Sequence, residues 1–282
     1  MSKNSKKILV IKSNYRWFQL NLIEIFDYLD LIRLLVKRDF VTFYKQTILG
    51  PLWYIIQPII MSIVFTFVFG NIANIKTDGI PNFLFYLCGM LPWYYFSSVV
   101  TDNSTTFLKN KDLFGKVYFP RMTVPISSLI INLIKLIIQS FIFLFFYFYY
   151  LFLGYSFNIS IYIIFLPLII IQLCILSLGL GLLISSLTTK YRDLTFALSF
   201  FIQLFLYATP IVYPLSLVSE KYKIYLILNP MTSIVESFKL FFFNTSDISL
   251  NNIILSFIIS IIIFIFGILT FSKIEKTFMD TI

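Results

Sequence analysis

Apolar positions recur along this chain in two ways. Between residues 22 and 46 they return every three or four places, at Ile25, Tyr28, Leu29, Ile32, Val36, Phe40 and Phe43. That spacing marks one face of a helix. Asp27, Asp30, Arg33, Lys37, Arg38 and Lys45 lie largely off that face. Such a helix lies in a membrane interface or packs as a collar beneath a membrane domain, and the two readings are compatible. Further on, the apolar positions run together. Six runs are long enough to predict membrane spans: about Pro51 to Phe69, Phe83 to Val100, Val124 to Leu153, Ile161 to Leu187, Leu194 to Val212 and Ile253 to Phe271. A spanning helix needs about 20 such residues. Strands of a membrane barrel alternate apolar and polar residues, whereas Ile163 to Ile171 is continuously apolar.

Between the last two runs, residues 210–250 alternate apolar stretches too short to span with the breaks Tyr213-Pro214 and Asn229-Pro230. Proline ends helices and disfavours helix in the residue before it. The segment predicts two short re-entrant or interfacial helices. Broken backbone at membrane depth survives only where protein or a water-filled path covers it, which places this segment near a pore mouth.

Composition sharpens the class. Of 282 residues, 59% are hydrophobic and only 12% are charged, and the mean hydropathy is +0.90. A soluble surface needs about 25–35% charge, so the chain is an all-α polytopic membrane protein. It divides into a tail and amphipathic helix over 1–46 and a six-span domain over 47–282. The run Ile8 to Ile11 is too short for a signal-peptide core, and residues 1–20 predict a basic cytoplasmic tail.

The net charge of +9 suggests nucleic acid in a soluble protein. Here it reads as positive-inside charge beside anionic lipid. With both termini inside, the inner segments hold seventeen basic residues: nine up to Lys45, four at Lys109, Lys111, Lys116 and Arg121, two at Lys190 and Arg192, and two at Lys273 and Lys276. The outer connections hold four, Lys76, Lys221, Lys223 and Lys239, and Lys135 lies within the third span. Lys135 either snorkels to the inner interface or faces a pore. The aromatic content, 20%, has a bland explanation in a compositional bias toward Ile, Lys and Asn and a sharper one in sugar stacking.

The chain has no histidine, which excludes a histidine base or ligand. Cys88 and Cys174 are far apart in apolar runs, so neither a disulfide nor a metal site is inferred. No GxxxxGK[ST] phosphate loop occurs. Gly179-Leu180-Gly181 reads instead as a small-residue packing site. The spans lack the chain of ionisable groups expected of a proton pump. Energy for transport is therefore expected from elsewhere.

Several short motifs then stand in order: Leu35-Val36-Lys37-Arg38-Asp39, Tyr44 to Trp53 (YKQTILGPLW), Gln57-Pro58, Gly89-Met90-Leu91-Pro92-Trp93, Lys116-Val117-Tyr118-Phe119-Pro120-Arg121, Tyr191-Arg192-Asp193, Pro210-Ile211-Val212-Tyr213-Pro214 and Leu228-Asn229-Pro230. Together, over roughly residues 30–282, they resemble the permease subunit of ABC type-2 exporters of cell-surface polysaccharide, such as O-antigen, capsule or teichoic acid. The resemblance implies a homodimer of permease chains with two copies of a separate ATP-binding subunit, which binds the ATP and Mg. This chain itself carries no cofactor. It implies a polyprenyl-diphosphate-linked polymer as substrate, a bacterial cytoplasmic membrane with membrane lipids around the spans, and no nucleic acid. An exporter of a small lipid or drug, or a glycan-assembly enzyme, are the alternatives.

The resemblance places a coupling helix in the second connection and gate helices before the last span. In the connection, Lys109, Lys111, Asp112, Phe114, Lys116, Tyr118, Phe119 and Arg121 are the expected ATPase contact, because aromatic anchors ringed by charge suit a protein interface. Tyr213, Pro214, Asn229 and Pro230 are the expected outer gate. Trp53, Tyr54, Trp93, Tyr94, Tyr95 and Tyr207 are candidates to line a sugar path, since Tyr and Trp pair an apolar face with a polar tip. Arg38 and Lys45 are expected at substrate entry, because Arg grips phosphate bidentately and Lys as a point charge.

The basic split predicts the topology. Cysteines placed near Lys76 and Lys221 should react with an impermeant thiol reagent in intact cells, and those near Lys111, Lys190 and Lys276 should not. Labelling at Lys111 from outside would reverse the orientation.

Overall fold

The computed structural model describes residues 22–45, 48–246 and 248–277. The basic tail over residues 1–20 lies outside them. Helices α1 (Leu22–Asp27) and α2 (Leu29–Lys45) divide the predicted amphipathic segment at a turn on Tyr28. Among the described residues of α2, which packs on α7, Ile32 and Leu35 are buried. Gly50, at φ 50°, opens a tight turn that leads into the first span; a left-handed φ costs glycine nothing.

Helix α3 (Trp53–Phe65) continues as a π-helical stretch over Thr66–Ile72, giving a 20-residue span. Pro58 sits inside it. Proline has no N–H, so the Tyr54 carbonyl four residues back loses its helical donor. Gln139 Nε2 replaces it at 3.3 Å, reaching across from α7.

Helix α4 (Asn82–Ser104) is the buried centre, with every side chain from Leu84 to Trp93 covered. Short helices α5 (Thr106–Lys109) and α6 (Lys111–Lys116) form the second connection. Helix α7 (Thr123–Phe152) runs 30 residues, and α8 (Leu166–Lys190) follows a 3-10 turn over Ile161–Phe165. Helix α9 (Leu194–Tyr207) is followed by α10 (Glu220–Leu228), α11 (Pro230–Phe243) and α12 (Leu250–Thr277).

Two expectations are refined. The fifth run, Leu194 to Val212, is a helix only to Tyr207. Fourteen residues give about 21 Å of helix, less than the roughly 30 Å of a hydrocarbon core. Its remaining apolar residues, Ile211 and Val212, lie in a turn buried in the core. Ile211 seats over Gly89, where a Cβ would meet its Cγ2 at 3.3 Å. The 210–250 segment does form a broken pair, α10 and α11, bent by 102°.

Helix α8 holds the bundle together, packing most extensively on α12 and α4. Glycines allow it. A Cβ on Gly179 would come within 2.6 Å of the Phe264 Cα in α12, and one on Gly181 within 2.8 Å of the Asn103 Cβ in α4. Gly267 of α12 returns the contact, pressing on the backbone of Gly179. The small-residue site read from the sequence thus joins three helices through close backbone approach. At one end of the bundle, the basic end, Thr188 Oγ1 of α8 donates to the Ser104 carbonyl of α4 at 2.6 Å.

Because the Gly179–Gly267 contact is backbone on backbone, no rotamer change relieves an added methyl. Gly179→Ala or Gly267→Ala should lower the thermal midpoint of the purified chain in detergent, at a cost of about 1–3 kcal/mol. The same substitution at Gly154, where nothing lies within 4 Å but φ is 93°, should cost about 1 kcal/mol.

Candidate functional site

A cleft of about 510 Å³ opens at the basic end between α2, α4, α5 and α7. Arg38, Lys109 and Lys135 line it, with Asp39, Asp102 and Asn103. Ser127, Ser128 and Lys135 are the polar residues of α7 that line it, and Lys135 falls with Asn132 and Gln139 at i, i+3 and i+7, one face of a helix. Asn132 bridges two charges: it accepts from Lys135 Nζ at 2.8 Å and donates to the Asp102 carboxylate at 3.0 Å. Lys135 Nζ also lies 5.3 Å from the Tyr54 ring centroid, a cation–π distance. Lys135 therefore faces the cleft.

Tyr54 and Lys135 are shared with a second chamber of about 200 Å³, deeper in the bundle. Trp53, Gln57, Tyr94, Tyr95 and Gln139 line it. The structure thus brings together four of the six aromatic residues proposed for a sugar path. It does not bring the other two there. Trp93 is buried against Phe96 and Phe205, at 5.6 and 6.1 Å between ring centroids, and Tyr207 is exposed at the end of α9. Of the two expected entry residues, Arg38 lines the cleft, where its guanidinium meets Asp39 at 2.6 Å. Lys45 is exposed at the end of α2 and does not line it.

The second connection divides by burial. Phe114 and Phe119 are each 6% exposed and belong to a cluster with Phe107, Leu35 and Phe271. Phe107 stacks on Phe271 of α12 at 4.6 Å. Arg121 lies over the Phe114 ring and donates to the Glu275 backbone carbonyl, while its own N–H meets the Glu275 carboxylate at 3.1 Å. Burial pulls the Arg121 guanidinium down from its usual range and the Glu275 charge opposes that; an arginine stays charged under both. The sequence reading put all three aromatics of this loop at a partner contact. Two of them fasten the loop to its own chain instead. Tyr118, 74% exposed, and Val117 project from it beside Lys111, Asp112 and Lys116.

At the far end, the residues read as a gate are joined by hydrogen bonds. Tyr213 donates to the Tyr207 carbonyl at 3.2 Å. Asn229 Nδ2 donates to the Ala208 carbonyl at 3.3 Å, while its Oδ1 accepts the Met231 N–H at 2.9 Å and so caps α11. Pro214 and Pro230 are both buried, Pro230 at the first position of α11.

The strongest polar feature here escaped the sequence reading, which left Lys239 in an outer connection. Lys239 and Glu236 are both buried in α11, 3.0 Å apart. Lys239 Nζ also donates to the Pro210 carbonyl at 2.6 Å and lies 3.9 Å from the Phe85 ring centroid. Ser246 donates to the other Glu236 oxygen at 2.8 Å. The available signal was an acid and a base at i, i+3 on an apolar helix.

Comparison with known proteins agrees with this architecture. Residues 30–243 match the family model described as ABC-2 type transporter. Two proteins of Klebsiella pneumoniae, each named O-antigen export system permease protein RfbA, are 28% and 27% identical over 257 residues. Those matches cover 89% of this chain and 94% of each relative. A Myxococcus xanthus protein of the same name is 26% identical over 223 residues, 78% of this chain and 83% of that one.

Removing one member of a buried ion pair strands the other, at about 3–5 kcal/mol, whereas removing both is far less costly. Glu236→Gln or Lys239→Met alone should therefore sharply lower the thermal midpoint of the purified chain. The double variant should recover most of the loss. A double variant that loses the sum of the two single losses would show that the pair contributes no coupling.

Proposed function

The chain belongs to the ABC-2 type transporter family, and from that premise we propose that it is the permease subunit of an ATP-driven exporter of a lipid-linked cell-surface polysaccharide. One observation carries the substrate class: the match to O-antigen export permeases runs over 89% of this chain and 94% of theirs. In this reading two permease chains form the path, two copies of a separate subunit bind ATP and Mg, and the basic end faces the cytoplasm of a bacterial cell.

The site residues take their roles from position. Val117, Tyr118, Lys111, Asp112 and Lys116 are the exposed face of the second connection and meet the ATPase. Phe107, Phe114 and Phe119 carry its displacement to α12 through the Phe107–Phe271 stack. Arg38 and Lys45 stand at substrate entry, and the chamber of Trp53, Tyr54, Tyr94 and Tyr95 offers rings and amides to passing sugars. Such faces support a polymer without gripping it. Exit is beneath the α10–α11 pair, with Tyr213, Pro214, Asn229 and Pro230 at the gate.

Deleting the gene should remove the polymer from the cell surface and leave its lipid-linked form inside. Unchanged surface polymer, with a small lipid or drug retained instead, would overturn the polysaccharide reading. The permease purified alone should hydrolyse no ATP. Tyr118→Ala should weaken its association with the ATPase and lower its own melting far less than the loss of a buried ring. Phe114→Ala, which empties a buried site, should instead destabilise the chain by about 3–5 kcal/mol.

A further inference from the structure

The cleft at the basic end has more hydrogen-bond donors than its own residues use. Arg38 is taken by Asp39 at 2.6 Å, and Asp102 by Asn132 at 3.0 Å. Lys135 donates to Asn132 at 2.8 Å, which leaves two of its three N–H groups for other partners. Lys109 forms no ion pair among the described residues. Asn103 is wholly buried, lines the cleft, and has neither its amide nitrogen nor its amide oxygen hydrogen-bonded. The Ser128 hydroxyl, which lines it too, is also buried without a partner.

A buried polar group left unpaired costs about 1–3 kcal/mol. A donor-rich cavity of this kind calls for a ligand made of acceptors. Three cations against two carboxylates, each carboxylate already engaged, call for that ligand to be an anion. The place of the cleft says what carries the anion. Exposed apolar residues, Leu34 of α2 and Leu52 and Trp53 at the start of α3, stand around this end of the bundle. The deeper chamber, lined by aromatic residues and amides, opens past Tyr54 and Lys135. A headgroup held between them stays attached to an acyl or prenyl chain in the bilayer.

We propose that this cleft, with Lys109, Lys135 and Asn103 as its principal donors, is a seat for the phosphate or diphosphate headgroup of a lipid. It rests on the exporter reading only for which lipid is the physiological one; the phosphate chemistry comes from the donors themselves. Lys109, exposed at the rim, meets the headgroup first. Lys135 and Asn103 then hold it, with Asn132 keeping the Lys135 ammonium in place. Charge-assisted bonds to phosphate oxygens are the strong class of hydrogen bond.

The test is direct binding to the full chain in phosphatidylcholine nanodiscs. The probes are a short-chain prenyl diphosphate, the matching monophosphate, and phosphatidylglycerol. The wild-type chain should bind at least one of them saturably. Lys109→Gln and Lys135→Gln should each weaken that binding about tenfold or more, and Lys135→Arg should retain it. Lys190→Gln, exposed at the same end and outside the cleft, should leave it unchanged. Lys109 is exposed, so its variant tests the seat even if Lys135→Gln does not fold. Preference for the prenyl probes identifies a carrier lipid, and preference for phosphatidylglycerol identifies a bilayer lipid; both support the seat. Wild-type failure to bind any probe overturns it, as does equal weakening by Lys190→Gln. Binding that neither cleft variant weakens overturns it as well, whatever is found for export. Loss of the polysaccharide reading alone, with binding and its variants as expected, leaves the seat standing.

Discussion

Lipid gives a peptide group no hydrogen bond, so each interruption of a membrane helix has to be answered by a side chain from elsewhere. The helix contacts of this chain follow from that constraint. Pro58 strips the Tyr54 carbonyl of its donor and Gln139 supplies one, which pins α7 to α3. The end of α9 and the turn after it leave the Tyr207, Ala208 and Pro210 carbonyls, to which Tyr213, Asn229 and Lys239 donate. Pro230, opening α11, has its carbonyl met by Ser256 of α12 at 3.0 Å, and Ser256 in turn accepts from Gln172 of α8 at 2.5 Å. The broken α10–α11 pair is thus tied to the end of α9 and to α12 by side-chain hydrogen bonds.

The same constraint explains why charge is found where it is. A lysine within the bundle costs several kcal/mol unless paired. Lys239 meets that cost with Glu236, a carbonyl and the face of Phe85. Lys135 meets it differently, through an amide that relays to Asp102 and through the Tyr54 ring, in an open cleft. One lysine is sealed and serves the packing of the far end. The other keeps donors to spare beside water. That contrast separates a structural cation from a binding one more firmly than their positions along the chain.

Much of the architecture was legible because long apolar runs and proline breaks are governed by local rules. The spans, the paired short helices and the glycine packing site all came from patterns within some thirty residues. What escaped depended on distant partners. The length of α9 was overestimated because Ile211 and Val212 are as apolar in a buried turn as in a span, and only Gly89, more than a hundred positions earlier, shows where Ile211 seats. Lys239 looked exposed because Pro210 and Phe85 were not yet beside it. Phe114 and Phe119 looked like anchors for a partner because Phe271, which completes their cluster, comes about 150 residues later. Leu35, off the predicted apolar face, is buried by that same cluster. The cleft at the basic end is half visible in the sequence: Arg38 stands out by its charge, whereas the alignment of Asn132, Lys135 and Gln139 on one face of α7 shows only once the helix is drawn.

The glycine contacts of α8 bear on how such a chain changes shape. Packed interfaces respond to load by switching between discrete arrangements of side chains. Where backbone lies on backbone, as between Gly179 and Gly267, or on the first side-chain carbon, as between Gly181 and Asn103, there is little side chain to rearrange. Helices α4, α8 and α12 consequently behave as one rigid block. Any hinge has to lie outside it. The lightly packed α9 meets the block along few residues, with Leu198 its buried one, and α3 carries both a proline and a π-helical stretch. Displacement applied to the rigid block is thereby concentrated at its margins, so that the stiffest part of the molecule decides which part bends.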